Sequence, residues 1–249
     1  MGTAFARTLA AQGYDVALVA RRRERLAALA DELRAAHGGV ALVIPADLSA
    51  VDAHIGVMAA LEGRTVDLLI NNAGYSIAPN FTATDWPMQR DSVMTLVMAV
   101  VGLTHAVLPD MLARRRGRII TISSILALNQ GGAGHTLYGP SKAFVHKFVL
   151  TLAAELAGSG VTVTSVLPGS TYSEFTAANG TAASMAKVPS AFLSTTQQVV
   201  DAALAGSARG KLIVIPGWHN TVLALIFKLA PDPLIRWASA RATATFKGA

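Results

Sequence analysis

Short apolar runs alternate with helical patterns along almost the whole of this 249-residue chain. Runs such as DVALVA (15–20) and VDLLIN (66–71) are apolar nearly throughout, not only at every second residue, which is typical of strands covered on both faces. Strands of this kind that alternate with helices predict a parallel sheet with helices on both sides. Ligands bind at the carboxyl ends of the strands in such sheets, so we expect the functional residues there.

The alternation predicts a single doubly wound α/β domain over 1–249, with a helical tail over 217–249. Gly13 is expected to stop the first helix. The stretch 168–194 has no regular pattern. The predicted helices are 2–13, 23–37, 50–62, two within 84–114, 138–157 and 196–207, and the predicted strands are 15–20, 40–46, 66–71, 117–123, 161–167 and 211–216.

The composition excludes several classes of protein. Hydrophobic residues make up 52% of the chain and charged residues 14%, which supplies a core and argues against disorder. With no cysteine, the chain has no disulfides or thiolate metal sites, and the composition fits a cytoplasmic protein. His105, His135 and His219 lack the spacing of metal ligands, so no metal site is expected. The net charge of +6 arises largely from two short basic groups without interleaved aromatic residues, so no nucleic-acid partner is expected.

The sharpest motif is YGPSK, which holds Tyr138 and Lys142. Four residues apart at the start of a helix, the two side chains lie on one face. A free phenol has a pKa near 10, and an ammonium group within about 4–6 Å lowers it by about 1–3 units. The pair therefore suits proton transfer. The alternative is a surface lysine beside a tyrosine that caps the helix.

Two serines lie where the strand GRIITIS ends, fourteen residues or so before Tyr138. The hydroxyl of Ser124 can donate to a substrate oxygen and share a proton with the phenol. We therefore assign catalysis to Ser124, whereas a plain turn is the better interpretation of Ser123.

Small and polar residues also follow two other strands. NNAG (71–74) permits the close approach of a flat ligand, and its alternative is an ordinary turn. Asp47, in PADLS, can accept a hydrogen bond from an adenine amino group. It can equally cap the next helix, as can Ser49.

In this order and spacing, NNAG, ISS, YGPSK and LPG resemble the short-chain dehydrogenase/reductase family over residues 1 to about 216. The resemblance implies a Rossmann-type sheet and hydride transfer between a nicotinamide cofactor and a carbonyl or alcohol. It makes Tyr138 the general acid/base, Lys142 the group that lowers its pKa and holds the nicotinamide ribose, and Ser124 the group that orients the substrate oxygen. Together with Tyr138 and Lys142, the residues it implies for cofactor binding are Gly2, Asp47, Leu48, Asn71, Ala73, Gly74, Pro168, Gly169 and Ser173.

The end of the apolar run 15–20, which corresponds to the family's second strand, indicates which cofactor is preferred. Members that use NAD carry an acidic residue there, to hold the ribose 2′-hydroxyl. Here Ala20 is followed by Arg21, Arg22 and Arg23. Guanidinium groups suit a 2′-phosphate, and three cations oppose the dipole at a helix start unless an anion lies nearby. We therefore expect NADP(H), with Arg21 as the main contact and Arg22 as the second.

Two features depart from the family. Thirteen residues before Pro109, where many members carry an asparagine that helps to position a water, this chain has Leu96. The family also has a strand and a Thr-Gly-x-x-x-Gly-x-Gly turn before the first helix, and Gly2 falls where the last of those glycines belongs. Without them the pyrophosphate lacks most of its backbone N–H cradle, and strands 15–20 and 66–71 have bare apolar edges. We therefore expect the native start to lie upstream of Met1.

These departures leave two functions open. The first is an NADP(H)-dependent oxidoreductase, favoured by the intact Ser124, Tyr138 and Lys142. The second is an impaired or non-catalytic member that binds a nucleotide or a partner, favoured by Leu96 and the missing glycine turn.

Other segments suggest the substrate and the assembly. Phe175, Met185 and Phe192 fall in the loop over 170–194, which indicates a moderately hydrophobic carbonyl or alcohol. The amphipathic tail after 217 is expected to cover the pocket. A contact with another subunit and a contact with a membrane surface are the alternatives. The helix around 92–108 is apolar nearly all round, so a homodimer or homotetramer is expected.

Overall fold

The computed structural model describes residues 1–77, 80–129, 137–172, 193–231, 233–235 and 237. The strands are β1 Val16–Ala20, β2 Ala41–Pro45, β3 Leu68–Asn71, β4 Gly117–Ile122, β5 Val161–Val166, β6 Thr171–Tyr172, β7 Ser194–Thr195 and β8 Ile213–Val214. The helices are α1 Gly2–Ala11, α2 Arg23–His37, α3 Ala53–Ala60, α4 Trp86–Val93, α5 Ala99–Ala113, α6 Tyr138–Glu155, α7 Thr196–Ala208 and α8 Trp218–Leu229.

Parallel pairing organises these strands, as the apolar runs predict. A four-stranded sheet has the order β3-β4-β5-β8, and β1 pairs with β2 in a second sheet. Helices cover both faces, so the predicted Rossmann-type α/β fold is confirmed. The carboxyl ends of β3, β4 and β5 lie side by side, which brings the segments that follow them to one edge.

The sheet is interrupted between β1 and β3, which do not pair with each other within the described residues. Two apolar clusters nevertheless join the two pieces. On one face Val16 of β1 and Ile70 of β3 pack against the same buried side chains, among them Phe5 of α1. On the other face Val19 and Leu69 share a second cluster. The interruption is where the sequence predicts that the two strands have bare edges.

Several elements differ from their predicted bounds. Helix α3 is shorter than 50–62, and β8 pairs only at Ile213 and Val214, not over 211–216. The stretch expected to be irregular contains the two-residue pair β6–β7. Between α4 and α5 the backbone forms a π-helical segment, Met94–Met98, so the two helices predicted within 84–114 run on as one helical stretch.

The continuous helical stretch Trp86–Ala113 is, within the described part of the chain, the one that is long and apolar enough to cross a membrane. Half of its most apolar part is buried inside the molecule, as in the core helices of soluble proteins. The feature is therefore weak evidence for a membrane span.

Candidate active site

Three side chains meet where β4 ends. Ser124 follows β4 and caps the 3₁₀ turn Ile125–Leu128, accepting a hydrogen bond from the Leu126 backbone N–H at 3.2 Å. Tyr138 opens α6 and shares a hydrogen bond with Ser124. The Nζ atom of Lys142, one helical turn further on, lies 5.7 Å from the centre of the Tyr138 ring. The structure thus brings together the three residues predicted to be catalytic.

Buried hydrogen bonds hold this helix against the strand. Lys142 Nζ donates to the backbone oxygen of Ile122 at 2.7 Å, and Ser123 Oγ donates to the backbone oxygen of Lys142 at 2.7 Å. One turn further, His146 Nδ1 and Ser165 Oγ share a hydrogen bond of 2.8 Å that joins α6 to β5. Ser123 therefore positions α6, a role beyond that of the turn residue that the sequence suggests.

Burial dominates the electrostatics of the cluster. It raises the pKa of Tyr138 to about 12, because burial disfavours the phenolate more than the hydrogen bond to Ser124 favours it. It lowers the pKa of Lys142 to about 8, because burial disfavours the ammonium group. The expected lowering of the Tyr138 pKa by Lys142 is therefore not found in the protein alone. At neutral pH the phenol is protonated and is suited to donating a proton.

The segment after β5 borders the cluster. The backbone oxygen of Pro168 accepts a hydrogen bond from Ile125 N–H at 2.9 Å, which ties this segment to the turn that Ser124 caps. A Cβ added at Gly169 would lie 1.9 Å from Asn220 Oδ1, so α8 packs directly on that glycine. Ser173 lies outside the described residues, as do Phe175, Met185 and Phe192 in the predicted substrate loop.

The NNAG segment reaches the cluster from β3. Asn71 Nδ2 donates to Thr104 Oγ1 at 3.2 Å, which ties β3 to α5. The Oδ1 atoms of Asn71 and Asn72 are buried and accept no hydrogen bond within the described residues. Ala73 is half-buried and packs in the cluster that joins β1 to β3. Buried acceptors of this kind are uncommon and indicate a place for a donor.

Two glycines mark close approaches in this region. A Cβ added at Gly74 would lie 2.8 Å from Leu96 Cδ2 and 3.7 Å from Lys142 Nζ. One added at Gly2 would lie 3.1 Å from Asn72 Nδ2. The start of α1 therefore lies beside the NNAG segment.

Leu96 is fully buried in the π-helical segment and packs beside Gly74 and Lys142. The residue at the position of the family's asparagine therefore faces the cluster. A leucine side chain can neither donate nor accept a hydrogen bond there.

The basic residues predicted to select the cofactor lie at the carboxyl end of β1. Arg21 and Arg22 are exposed, and Arg22 precedes the first turn of α2. Hydrogen bonds from the backbone N–H and the hydroxyl of Ser49 lower the pKa of Asp47, and the nearby charge of Arg21 lowers it further. Leu48 is buried next to it. A surface cleft of about 740 Å³ opens beside Asp47 at the end of β2.

The structure also reveals contacts that sequence reasoning missed. Thr104 and Asn220 each hold a segment of the site, but Thr104 belongs to a helix that is apolar nearly all round and Asn220 to an amphipathic tail. No motif surrounds Asn220 in the tail, so the sequence contains no signal for its contact. Among the described residues no group of three histidine, aspartate or glutamate side chains is arranged to hold a metal ion.

The fold and the cluster define a class of protein, a Rossmann-type α/β protein with a serine–tyrosine–lysine site at the carboxyl edge of its sheet. The family model described as short chain dehydrogenase matches residues 1–184. The chain therefore belongs to the short-chain dehydrogenase/reductase family of oxidoreductases.

Relatives extend the likeness beyond residue 184. An uncharacterized oxidoreductase of Myxococcus xanthus is 34% identical over 243 residues, which cover 97% of this chain and 92% of that protein. The structure of a 7β-hydroxysteroid dehydrogenase is similar with a TM-score of 0.84 and 27% identity, covering 96% of this chain and 92% of that one. A short-chain dehydrogenase from Sphingobium yanoikuyae, solved in complex with NADPH, is similar with a TM-score of 0.81 and 30% identity, covering 94% and 90%.

Proposed function

We propose that this protein is an NADP(H)-dependent oxidoreductase that interconverts a carbonyl and an alcohol in a moderately hydrophobic substrate. One observation carries the proposal: Tyr138, protonated at neutral pH, is hydrogen bonded to Ser124 and lies against the buried Lys142. A structural relative with 30% identity binds NADPH, which supports the cofactor.

The residues present fit a dinucleotide. The buried Oδ1 atoms of Asn71 and Asn72 lack donors, and Gly74 leaves no room for a side chain beside Lys142. Arg21 offers an exposed guanidinium group for a 2′-phosphate. When bound, the cofactor would supply or accept the hydride. Asp47, Leu48, Ala73, Pro168 and Gly169 would border it, and Arg22 would be a second cation near the phosphate.

Each side chain of the cluster has its own role in the proton transfer. In the reducing direction, Tyr138 donates its hydroxyl proton to the carbonyl oxygen as that oxygen gains negative charge. Ser124 orients the same oxygen by a hydrogen bond. Lys142 places a positive charge beside the phenol, which stabilises the phenolate that the transfer leaves. In the oxidising direction the phenolate takes the proton back.

We also propose a cytoplasmic location, which the absence of cysteine fits, and a homo-oligomer, which the surface supports. Met98 and Leu112 on the α5 side and Phe144 on α6 are large apolar residues left exposed. Two helices that present apolar side chains fit a symmetric contact with a second copy, so we propose a homodimer or homotetramer.

The test combines binding and turnover. Quenching of protein fluorescence by NADPH and NADH gives the two affinities, and a panel of aliphatic and aromatic ketones gives turnover. Tyr138→Phe should lower kcat by about 10²–10⁴-fold while leaving NADPH binding within about threefold. Tyr14→Phe, which also removes one phenolic hydroxyl, serves as the matched control and should retain wild-type turnover.

Two results separate the alternatives. NADPH binding with no turnover on any substrate, unchanged in Tyr138→Phe, would favour a non-catalytic binding protein. Tighter binding of NADH than of NADPH would refute the choice of cofactor while leaving the catalytic assignment standing.

A further inference from the structure

Helix α8 carries an exposed apolar stripe on its outer face. Trp218, Val222, Leu225, Ile226 and Leu229 are each 50–69% exposed. At about 100° per residue they fall within one sector of roughly 100° of the helix circumference. Leucine-sized side chains normally gain about 1.5–3 kcal/mol from burial, so a continuous stripe of this kind indicates a docking surface.

The inner face of α8 is fixed to the body of the molecule. Asn220 and Ala224 are buried on the opposite side of the helix from the stripe. Asn220 Nδ2 donates to the backbone oxygen of Pro216 at 2.6 Å, and Asn220 Oδ1 abuts Gly169. These contacts prevent the helix from turning its stripe inwards. The outer face therefore points away from the protein, close to the active site.

The chemistry around the stripe favours an anionic lipid surface. Helix α8 has no acidic residue, and its one formal charge is Lys228. In the sequence after it, Arg236, Arg241 and Lys247 outnumber Asp232. Trp218 stands at one end of the stripe, and Trp237, also exposed, follows Leu229 at the other end by eight residues in the sequence. Tryptophan at the ends of an apolar face, with basic residues alongside, is typical of helices that lie in the membrane interface.

The size of the stripe argues against a second copy as its occupant. A helix of 12 residues is about 18 Å long, so the stripe offers at most a few hundred Å². A stable protein–protein contact buries about 800 Å² on each partner. We propose that α8 docks this protein on the surface of an anionic membrane.

Vesicle binding tests this proposal. The full chain should co-sediment with vesicles that contain phosphatidylglycerol, and more weakly with vesicles of pure phosphatidylcholine. Binding to the phosphatidylglycerol vesicles should weaken as the salt concentration rises. Leu225→Glu combined with Leu229→Glu should weaken partitioning by at least about tenfold. Val40→Glu combined with Ile55→Glu is the matched control, because it removes two similarly exposed apolar side chains elsewhere and adds the same charge. It should stay within about twofold of the wild type.

A second readout leaves the stripe intact. In a chain with Trp86→Phe and Trp237→Phe, Trp218 is the one remaining tryptophan. Its emission should shift to the blue on adding anionic vesicles, and brominated lipids should quench it.

Three results would overturn the proposal: no binding of the wild type to anionic vesicles, equal losses in the two double variants, or no shift in Trp218 emission. A smaller oligomer for the Leu225/Leu229 variant in light scattering, with vesicle binding retained, would instead assign the stripe to a subunit contact.

Discussion

The two pieces of the sheet hold their functional residues in opposite ways. Beside β4 and β5, Ser124 and Lys142 are buried, and backbone groups fix them on several sides. At the end of β1, Arg21 is exposed and acts on Asp47 through charge. Removing a buried, hydrogen-bonded group leaves its partners unsatisfied, whereas an exposed cation contributes little until an anion arrives. We therefore expect substitutions beside β4 and β5 to change turnover and stability, and substitutions at the end of β1 to change ligand affinity alone.

Among the substitutions that test this contrast, the largest effect is expected at Lys142. Lys142→Met should lower kcat by about 10²–10³-fold, because the phenolate loses its neighbouring charge. In the wild type, the folded pKa of about 8 lies below the ordinary value of 10.5, so burial of the ammonium group destabilises the protein below pH 8. That penalty is relieved as pH rises from 8 to 10.5.

Urea unfolding of both forms between pH 7 and 10 measures this second effect. The wild type should gain stability relative to Lys142→Met over this window, by up to roughly 3 kcal/mol. Tyr138 does not disturb the comparison, because both forms retain it. A difference that stays constant with pH would show that the ammonium group is not buried as described.

Next in size is the effect of Arg21 on the cofactor. Arg21→Ala should weaken NADPH binding by about tenfold or more, because a charge-assisted contact with the 2′-phosphate is lost. NADH binding should change by less than about threefold, since NADH has no phosphate there. Arg25→Ala, which removes an exposed arginine from the same region, is the control for net charge. An equal loss for both cofactors would place Arg21 away from the phosphate.

A third substitution probes the contact between Gly169 and α8. Gly169→Ala should destabilise the fold by about 1–3 kcal/mol, because its Cβ would meet Asn220 Oδ1 at 1.9 Å. Gly56→Ala is the matched control: it has open space around it in α3, and alanine favours the helix by about 0.5–1 kcal/mol. Thermal unfolding of the two variants compares them directly. Equal stability would mean that α8 yields easily at this point.

The smallest effect is expected at the ion pair between α1 and α2. Arg7 donates to both carboxylate oxygens of Glu32, at 2.7 and 2.8 Å, and both side chains are exposed. Glu32→Gln should leave the unfolding midpoint unchanged at physiological salt, because water screens such pairs. A clear loss of stability would show that the β1–β2 piece depends on its surface charges more than this comparison allows.

The same contrast explains what the sequence could reveal. Helix α2 has its predicted bounds, 23–37, because Gly38 adopts the left-handed backbone that ends the helix. Ser124, Tyr138 and Lys142 were predicted to lie together from their spacing along one strand and one helix, and the structure places them together. Both features depend on residues that are close together in the sequence, so the sequence alone predicts them.

Features set by distant contacts were missed. The short pair β6–β7 forms because two segments more than twenty residues apart meet, and apolar periodicity carries no trace of that. The pKa of Tyr138 was misjudged in direction because the sequence shows its charged neighbour but not the depth of burial. Asn220 contacts Gly169 across about fifty residues of sequence; Gly169 belongs to the LPG motif, but no motif around Asn220 indicates the contact.

The π-helical segment Met94–Met98 sets the rotational phase of the helix that follows. A π-helical turn takes about one residue more than an α-helical turn, so the loss of one residue here can convert the segment to α-helix and leave Thr104 facing Asn71. In the first turn of α5 the same deletion would rotate Thr104 by about 100°, away from Asn71. The π-helical segment is therefore the place in this helical stretch where the loss of one residue should be tolerated best.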